Sequence, residues 1–190
     1  MSRTRITMLG DSLTAGYGLR PAQALPSRLQ AALEQRGVLT QVRNAGVSGD
    51  TTADGLKRVE KDVAAGTDLC IVALGANDMM QLISPDRIAR NLDAILDRLE
   101  AKSIPAMLCG MRAPPWFGMY AVGFDGLFPR LSRARNIPLD PFLLEGVALN
   151  PAFVLPDRIH PNASGVDVMA RRLAPKVAEV LGALDRQRST

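Results

Sequence analysis

The chain has 190 residues, 47% of them hydrophobic, with 23 lysines and arginines against 19 acids and a net charge of +4. That length suits one domain, residues 1–190, able to bury roughly 70% of the surface its unfolded form exposes, so no disulfide scaffold or structural metal is needed. The arginines are scattered among acids without stacking aromatics, which excludes a nucleic-acid stripe; no run of eighteen apolar residues offers a membrane-spanning helix; and one histidine with two cysteines leaves a zinc site short of ligands.

Residues 4–19 read as an apolar strand, carried by Ile6, Met8 and Leu9, that runs into a tight turn bearing Ser12, with Gly10, Gly16 and Gly18 supplying backbone freedom. A serine there stands at a strand's carboxyl end, where open α/β sheets place their ligands. The same serine is also good helix-capping chemistry, and Asp11 can cap that turn. No Gly-x-Ser-x-Gly elbow occurs, and Gly16-Tyr17-Gly18 lacks the third glycine of a dinucleotide loop. Arg20-Pro21 opens a helix on Leu25, Leu29, Ala32 and Leu33 that ends near Gly37. Residues 38–42 read as a second strand leading into Asn44-Ala45-Gly46-Val47-Ser48-Gly49-Asp50. Gly49 is either a plain turn glycine or a place where a backbone N–H meets a ligand with no side chain in the way.

Thr51 or Thr52 can cap the next helix, in which Leu56, Val59 and Val63 share a face. Residues 68–74 are a near-continuous apolar run, the mark of a strand covered on both faces, and end in Gly75-Ala76-Asn77-Asp78. The Asn77 amide can donate to a developing oxyanion or make an Asx turn. Met79 and Met80 follow, as lining for an acyl-chain groove or as core filler. Ser84-Pro85-Asp86 starts a long helix by cap, first-turn proline and acidic first turn, with Ile88, Leu92, Ile95, Leu96 and Leu99 as its buried stripe. A fourth strand spans 104–109; its Cys109, like Cys70 before it, is expected as a buried free thiol. Strand and helix alternating at this interval give right-handed crossovers and a parallel sheet.

The rhythm breaks at residues 112–126, read as an irregular loop whose Trp116, Phe117, Met119 and Tyr120 form part of an acyl or aryl pocket or dock on the protein's own surface. A helix from Gly126 to Asn136 and a short fifth strand at 137–139 follow. The apolar, proline-broken span 142–155 reads as a partly buried lid segment. Asn162 caps the last helix, buried through Val166, Met169, Leu173, Val177, Val180 and Leu181, kinked at Pro175 and frayed after Leu184.

A serine hydroxyl is a weak nucleophile and needs a base within hydrogen-bond reach and a third group to hold that base. His160 is the chain's one histidine, so it is the base or there is no serine–histidine chemistry. Asp157, three residues earlier, can face it across a turn and fix its tautomer.

The blocks Gly10-Asp11-Ser12-Leu13, Asn44 to Thr51, Gly75-Ala76-Asn77-Asp78 and Asp157-Arg158-Ile159-His160-Pro161-Asn162 occur in the order of the GDSL, or SGNH, hydrolase family. The chain resembles that family's bacterial thioesterase I/lysophospholipase/arylesterase branch over nearly its whole length. The resemblance implies a three-layer α/β/α sandwich of flavodoxin-like SGNH hydrolase type, with a central parallel sheet of about five strands. It implies Ser12 as nucleophile, His160 and Asp157 as the base pair, and an oxyanion hole of the Ser12 and Gly49 N–H groups with the Asn77 amide. Read so, the protein is a serine esterase cleaving ester or thioester bonds through an acyl-enzyme, with Met79, Met80, Trp116, Phe117, Met119 and Tyr120 as candidate substrate contacts. Acyl transfer to an alcohol, hydrolysis of sugar acetates, and non-catalytic acyl binding are the other readings of the same residues.

A small acyl ester or thioester is the expected partner, with no cofactor, metal or nucleic acid, and a monomer is expected. With the first strand starting within a few residues of Met1, no signal peptide is expected in this sequence. The expected location is periplasmic or secreted if the chain is a trimmed mature form, and cytoplasmic otherwise.

Overall fold

The computed structural model describes residues 3–188. Its elements run β1 (Thr4–Gly10), α1 (Ser12–Ala15), α2 (Leu25–Glu34), β2 (Thr40–Gly46), α3 (Thr52–Asp62), β3 (Leu69–Ala73), α4 (Ala76–Met80), α5 (Pro85–Ala101), β4 (Ala106–Cys109), α6 (Met119–Arg135), β5 (Leu139–Asp140) and α7 (Ala163–Arg188). The five strands form one sheet in the order β2-β1-β3-β4-β5, every neighbouring pair parallel. The α/β reading therefore holds.

The sheet's inner strands explain their own burial. All five residues of β3 are buried, as expected for a strand covered on both faces, and Ile6, Met8 and Leu9 of β1 are buried beside them. Parallel strands need crossover connections, and right-handed crossovers put the helices on the two faces: α2 packs against α7, while α3 packs on α5 and α5 on α6. From β1 the chain steps out to β2, then returns to the other side of β1 at β3. That reversal opens a crevice at the carboxyl ends of β1 and β3, where ligands of open α/β sheets bind. The turn bearing Ser12 follows β1, the Gly49 loop follows β2, and Asn77 follows β3, so all three lie at this edge.

Several boundaries depart from the sequence reading. The second strand lies at Thr40–Gly46 instead of 38–42, because an edge strand is held by its ladder to β1 and tolerates the exposed Arg43 and Asn44. The helix expected from Pro21 is preceded by a 3₁₀ turn at Pro21–Gln23 and begins at Leu25. Ser84 occupies the cap position of α5 without a side-chain hydrogen bond. Thr51, and not Thr52, caps α3, in a reciprocal box with Asp54.

The largest correction concerns 112–126, which is mostly ordered: a 3₁₀ turn at Pro115–Phe117 leads through Gly118 into α6 at Met119. Ala121, Phe124, Leu127, Phe128 and Leu131 form that helix's buried stripe. The helix expected from Gly126 therefore begins at Met119, with Pro129 inside it. The final helix continues through Pro175 and past Leu184 to Arg188, whose guanidinium stands 3.2 Å from Asp68; residues 189–190 of the expected frayed tail lie outside the described residues. Cys70 and Cys109 are free and buried, and burial pushes the Cys70 thiol up to about 12. Among the described residues no helix is long and apolar enough to cross a membrane.

Candidate active site

The turn after β1 is built by Asp11. Its Oδ1 accepts the Leu13 N–H at 2.9 Å, so Asp11 caps the single helical turn α1 and Ser12 becomes that turn's first residue. Gly46, at the end of β2, packs directly on this turn: a Cβ there would stand 2.3 Å from the Ala15 nitrogen. Asn44 completes the join, donating from Nδ2 to the Ala15 carbonyl at 3.3 Å and accepting from the Gly46 N–H at 2.9 Å.

On the far side of the crevice, Asp157 organises a tight turn. Its Oδ1 accepts the N–H groups of Ile159 (2.9 Å) and His160 (3.0 Å), and its Oδ2 lies 2.7 Å from His160 Nδ1. Arg158, at φ 60°, takes the left-handed backbone that lets residues 157 and 160 face one another. The Ile159 N–H first, then the imidazole and the His160 N–H, pull the Asp157 carboxyl down to about 2. An ionised carboxylate only accepts, so Nδ1 carries the proton and Nε2 is left as an acceptor. Nε2 stands 3.0 Å from Ser12 Oγ, and the Tyr17 ring lies over the imidazole with centroids 4.3 Å apart. The loop behind is anchored by Asn162, whose Nδ2 donates to the carbonyls of Ala152 and Val154 while its Oδ1 caps α7 at the Gly165 N–H.

Gly49 and Asn77 border the same crevice. Gly49 has φ 90°, and nothing lies within 4 Å of the place its Cβ would take, so the backbone there faces open space. Among the described residues neither the Ser12 nor the Gly49 N–H has a protein acceptor. Asn77 uses one amide hydrogen on the Asp50 carbonyl at 2.9 Å, leaving the other available. Asp78, fully buried, secures α4 by accepting the Thr52 N–H (2.8 Å) and hydroxyl (2.6 Å), with Asn91 donating to that hydroxyl in turn. Burial raises the Asp78 carboxyl above its usual range despite these bonds. Burial likewise pushes Asp11 up to about 6, against the Leu13 N–H and the His160 charge, which pull it down.

The six candidate substrate contacts divide. Met79, Phe117 and Tyr120 are half-buried against the core, and the Tyr120 hydroxyl donates to the Ile83 carbonyl at 2.9 Å. Met80, Trp116 and Met119 point outward, 58%, 72% and 82% exposed. The structure thus brings Ser12, His160 and Asp157 into one hydrogen-bonded line, whereas the apolar candidates split between exposed and half-buried positions.

Three residues of this edge escaped the sequence reading. Tyr17 was signalled only as an aromatic amid glycines five residues after the serine. Asp78 was seen as part of a turn, and Arg58, whose guanidinium reaches Gly10, Ala45 and Asp50, gave no signal at all.

A flavodoxin-like sheet with a hydroxyl, an imidazole and a carboxylate joined at its carboxyl edge defines a hydrolase-type architecture. The chain belongs to the GDSL-like lipase/acylhydrolase family, whose model matches residues 8–168. It is 32% identical over 179 residues to the arylesterase of Vibrio mimicus, an alignment covering 93% of this chain and 90% of that protein. It is 33% identical to the thioesterase 1/protease 1/lysophospholipase L1 of Escherichia coli K12, covering 90% and 84%. Among solved structures it is similar to AlinE4, an SGNH-hydrolase family esterase, at TM-score 0.79 and 40% identity over 95% of this chain and 98% of that one. The TesA crystal structure superposes at TM-score 0.85 with 29% identity, covering 91% and 97%. The protein is accordingly an esterase/acylhydrolase of the SGNH type.

Proposed function

We propose that the protein is a serine esterase that cleaves carboxylic ester or thioester bonds of small acyl substrates in two steps through an acyl-enzyme. Ser12 Oγ attacks the carbonyl carbon while His160 Nε2 takes its proton. Asp157 holds Nδ1–H and stabilises the imidazolium that forms. The carbonyl oxygen, now an oxyanion, is held by the Ser12 and Gly49 N–H groups and the free Asn77 amide hydrogen. His160 then gives the proton to the departing alcohol or thiol. Water, activated by the same imidazole, attacks the acyl-Ser12 ester and releases the acid.

The observation that carries this reading is the line Ser12 Oγ–His160 Nε2, 3.0 Å, and His160 Nδ1–Asp157 Oδ2, 2.7 Å, beside backbone donors without acceptors among the described residues. For the acyl or aryl group we assign the apolar surface of Met79, Met80, Trp116, Phe117, Met119 and Tyr120. The arylesterase and thioesterase relatives support this substrate range.

The test is hydrolysis of p-nitrophenyl esters from acetate to palmitate by the parent and by Ser12→Ala and His160→Ala, with mass spectrometry of the quenched enzyme. Each substitution is expected to lower kcat on the order of 10⁶-fold. The parent is expected to carry one acyl group on the peptide containing Ser12. Hydrolysis undiminished in Ser12→Ala, or acylation at another residue, overturns the proposal. Trp116→Ala is expected to shift the chain-length optimum, and an unchanged optimum removes Trp116 from the acyl surface.

A further inference from the structure

Arg58 sits in the middle of α3, its side chain about 15% exposed, with every stretch of its guanidinium engaged. An acid one turn along its own helix, Asp62, pairs with Nη1 at 2.9 Å and would satisfy an ordinary helix ion pair. The remaining contacts all leave the helix for the carboxyl edge of the sheet. Nη2 donates to the Gly10 carbonyl at 2.8 Å, Nη1 to the Ala45 carbonyl at 2.8 Å, and Nε to the Asp50 carboxylate at 2.5 Å.

Two of these acceptors lie close in sequence to groups assigned above to the oxyanion hole, and the third lies on the strand before it. Gly10 stands two residues before Ser12, Asp50 directly follows Gly49, and Ala45 is the next-to-last residue of β2, which feeds the Gly49 loop. Asp50 works at both ends, since its carboxylate is held by Arg58 while its carbonyl accepts the Asn77 amide. Gly49 itself has open space where a Cβ would be, so no packing on that side fixes the loop. Its position depends on the hydrogen bonds of its neighbours.

We propose that Arg58 is a positioning residue for the oxyanion hole, setting the separation between the Ser12 turn and the Gly49–Asp50 loop and, through Asp50, the aim of Asn77. It touches no substrate. The inference rests on the catalytic reading of Ser12, Gly49 and Asn77. Only a planar, forked cation can serve acceptors from three segments at once; a lysine ammonium meets one or two of them as a point charge. Donors must lie at about 2.7–3.1 Å from the developing oxyanion, and misplacement by about 1 Å costs on the order of 100-fold in rate.

The experiment compares the parent, Arg58→Lys, Arg58→Ala and Asp50→Asn on p-nitrophenyl butyrate, with Ser12→Ala run beside them and a thermal melt of each. Asp50→Asn removes the loop's charge partner but leaves Arg58 its contacts to Gly10, Ala45 and Asp62, so it stays informative where Arg58→Ala fails to fold. The expected result is a fall in kcat of about 10- to 100-fold in Arg58→Lys and Asp50→Asn with KM within about threefold of the parent. Inactivation by a p-nitrophenyl phosphonate is expected to slow in parallel, because the phosphonyl oxygen uses the same donors. Millimolar guanidinium is expected to restore part of kcat in Arg58→Ala but not in Ser12→Ala. Folded Arg58→Lys and Asp50→Asn proteins with parental kcat and inactivation rate overturn the inference, as does a loss confined to melting temperature. Ser12→Ala separates the two levels: if it retains hydrolysis, the catalytic reading itself fails, and if it is inactive while Asp50→Asn and Arg58→Lys keep kcat, only the role of Arg58 fails.

Discussion

Asp11 makes the turn that carries Ser12 sensitive to pH in a way that can be measured. It is fully buried, with Oδ1 on the Leu13 N–H and Oδ2 without a partner among the described residues. Burial raises its pKa from 3.8 to about 6, and the Asp78 charge adds to the rise. In the unfolded chain the ordinary value returns. Between these values the folded state holds a proton that the unfolded state has released, so Asp11's contribution to stability is fully present below about pH 3.8 and is lost as pH rises through about 6. The whole interval corresponds to about 3 kcal/mol.

Asp11→Asn keeps an oxygen for the Leu13 N–H and carries no charge at any pH. Its new amide N–H₂ costs about 1–3 kcal/mol if it finds no acceptor, but that cost does not vary with pH. The stability of Asp11→Asn relative to the parent is therefore expected to improve by about 2–3 kcal/mol from pH 4 to pH 7.5, or roughly 5–10 °C in Tm at this chain length. Asp54 and Asp157, both drawn down to about 2, give stability that is lost as pH falls toward 2, the opposite slope, but they do so equally in both proteins. Urea unfolding of the pair at half-unit pH steps reads the difference directly. Parallel curves would refute the reasoning, because they would mean that Asp11 ionises as a solvated carboxyl does.

Asn77→Ala is expected to lower kcat about 100- to 1,000-fold on p-nitrophenyl butyrate with the protein still folded, since it removes one of the proposed oxyanion donors and frees the Asp50 carbonyl. Asp157→Asn is expected to leave the turn intact through its Oδ1 bonds but to present N–H to His160 Nδ1, favouring the wrong tautomer, with a loss of about 10⁴-fold in kcat at pH 8. The glycine that ends β2 and the glycine of the loop after it are expected to fail for different reasons. Gly46→Ala drives a Cβ to 2.3 Å from the Ala15 backbone and is expected to cost about 1–3 kcal/mol in denaturant unfolding. Gly49→Ala meets open space, so its cost of about 1–2 kcal/mol comes from the φ of 90° alone, and its larger effect is expected in kcat.

The sheet was legible because its buried strands carry their own evidence. Leu69 to Ala73 is apolar without interruption, and Ile6, Met8 and Leu9 precede a glycine turn, so the existence of these strands and their parallel direction followed from pattern and connection. The end of β2 was not legible. Arg43 and Asn44 face outward on an edge strand, where ladder bonds to β1 and not apolar side chains extend the pairing. In α6 the signal was present but masked. Ala121, Phe124, Phe128 and Leu131 recur at helical spacing, yet Gly118, Gly123, Gly126 and Pro129 are residues that favour turns, and tertiary burial of two phenylalanines outweighs their weak propensity.

That helix also changes what the apolar residues beside the site can do. As an irregular loop, residues 116–120 could turn all their side chains to one acyl group; on a 3₁₀ turn entering α6, geometry divides them, with Phe117 and Tyr120 toward the core and Trp116 and Met119 toward solvent. Ser12, Asn77, Asp157 and His160 each admitted a plain structural reading alone; they drew notice together, as motif blocks beside readable elements whose order resembles one family. Arg58 was not legible, because the acceptors that tie it to the strand ends at Gly10 and Ala45 are backbone carbonyls, which every residue possesses and no sequence pattern marks. A residue whose work is to hold strand ends together looks, in sequence, like any arginine on an amphipathic helix. Its role becomes visible only when the folded sheet brings Gly10, Ala45 and Asp50 within reach of one guanidinium.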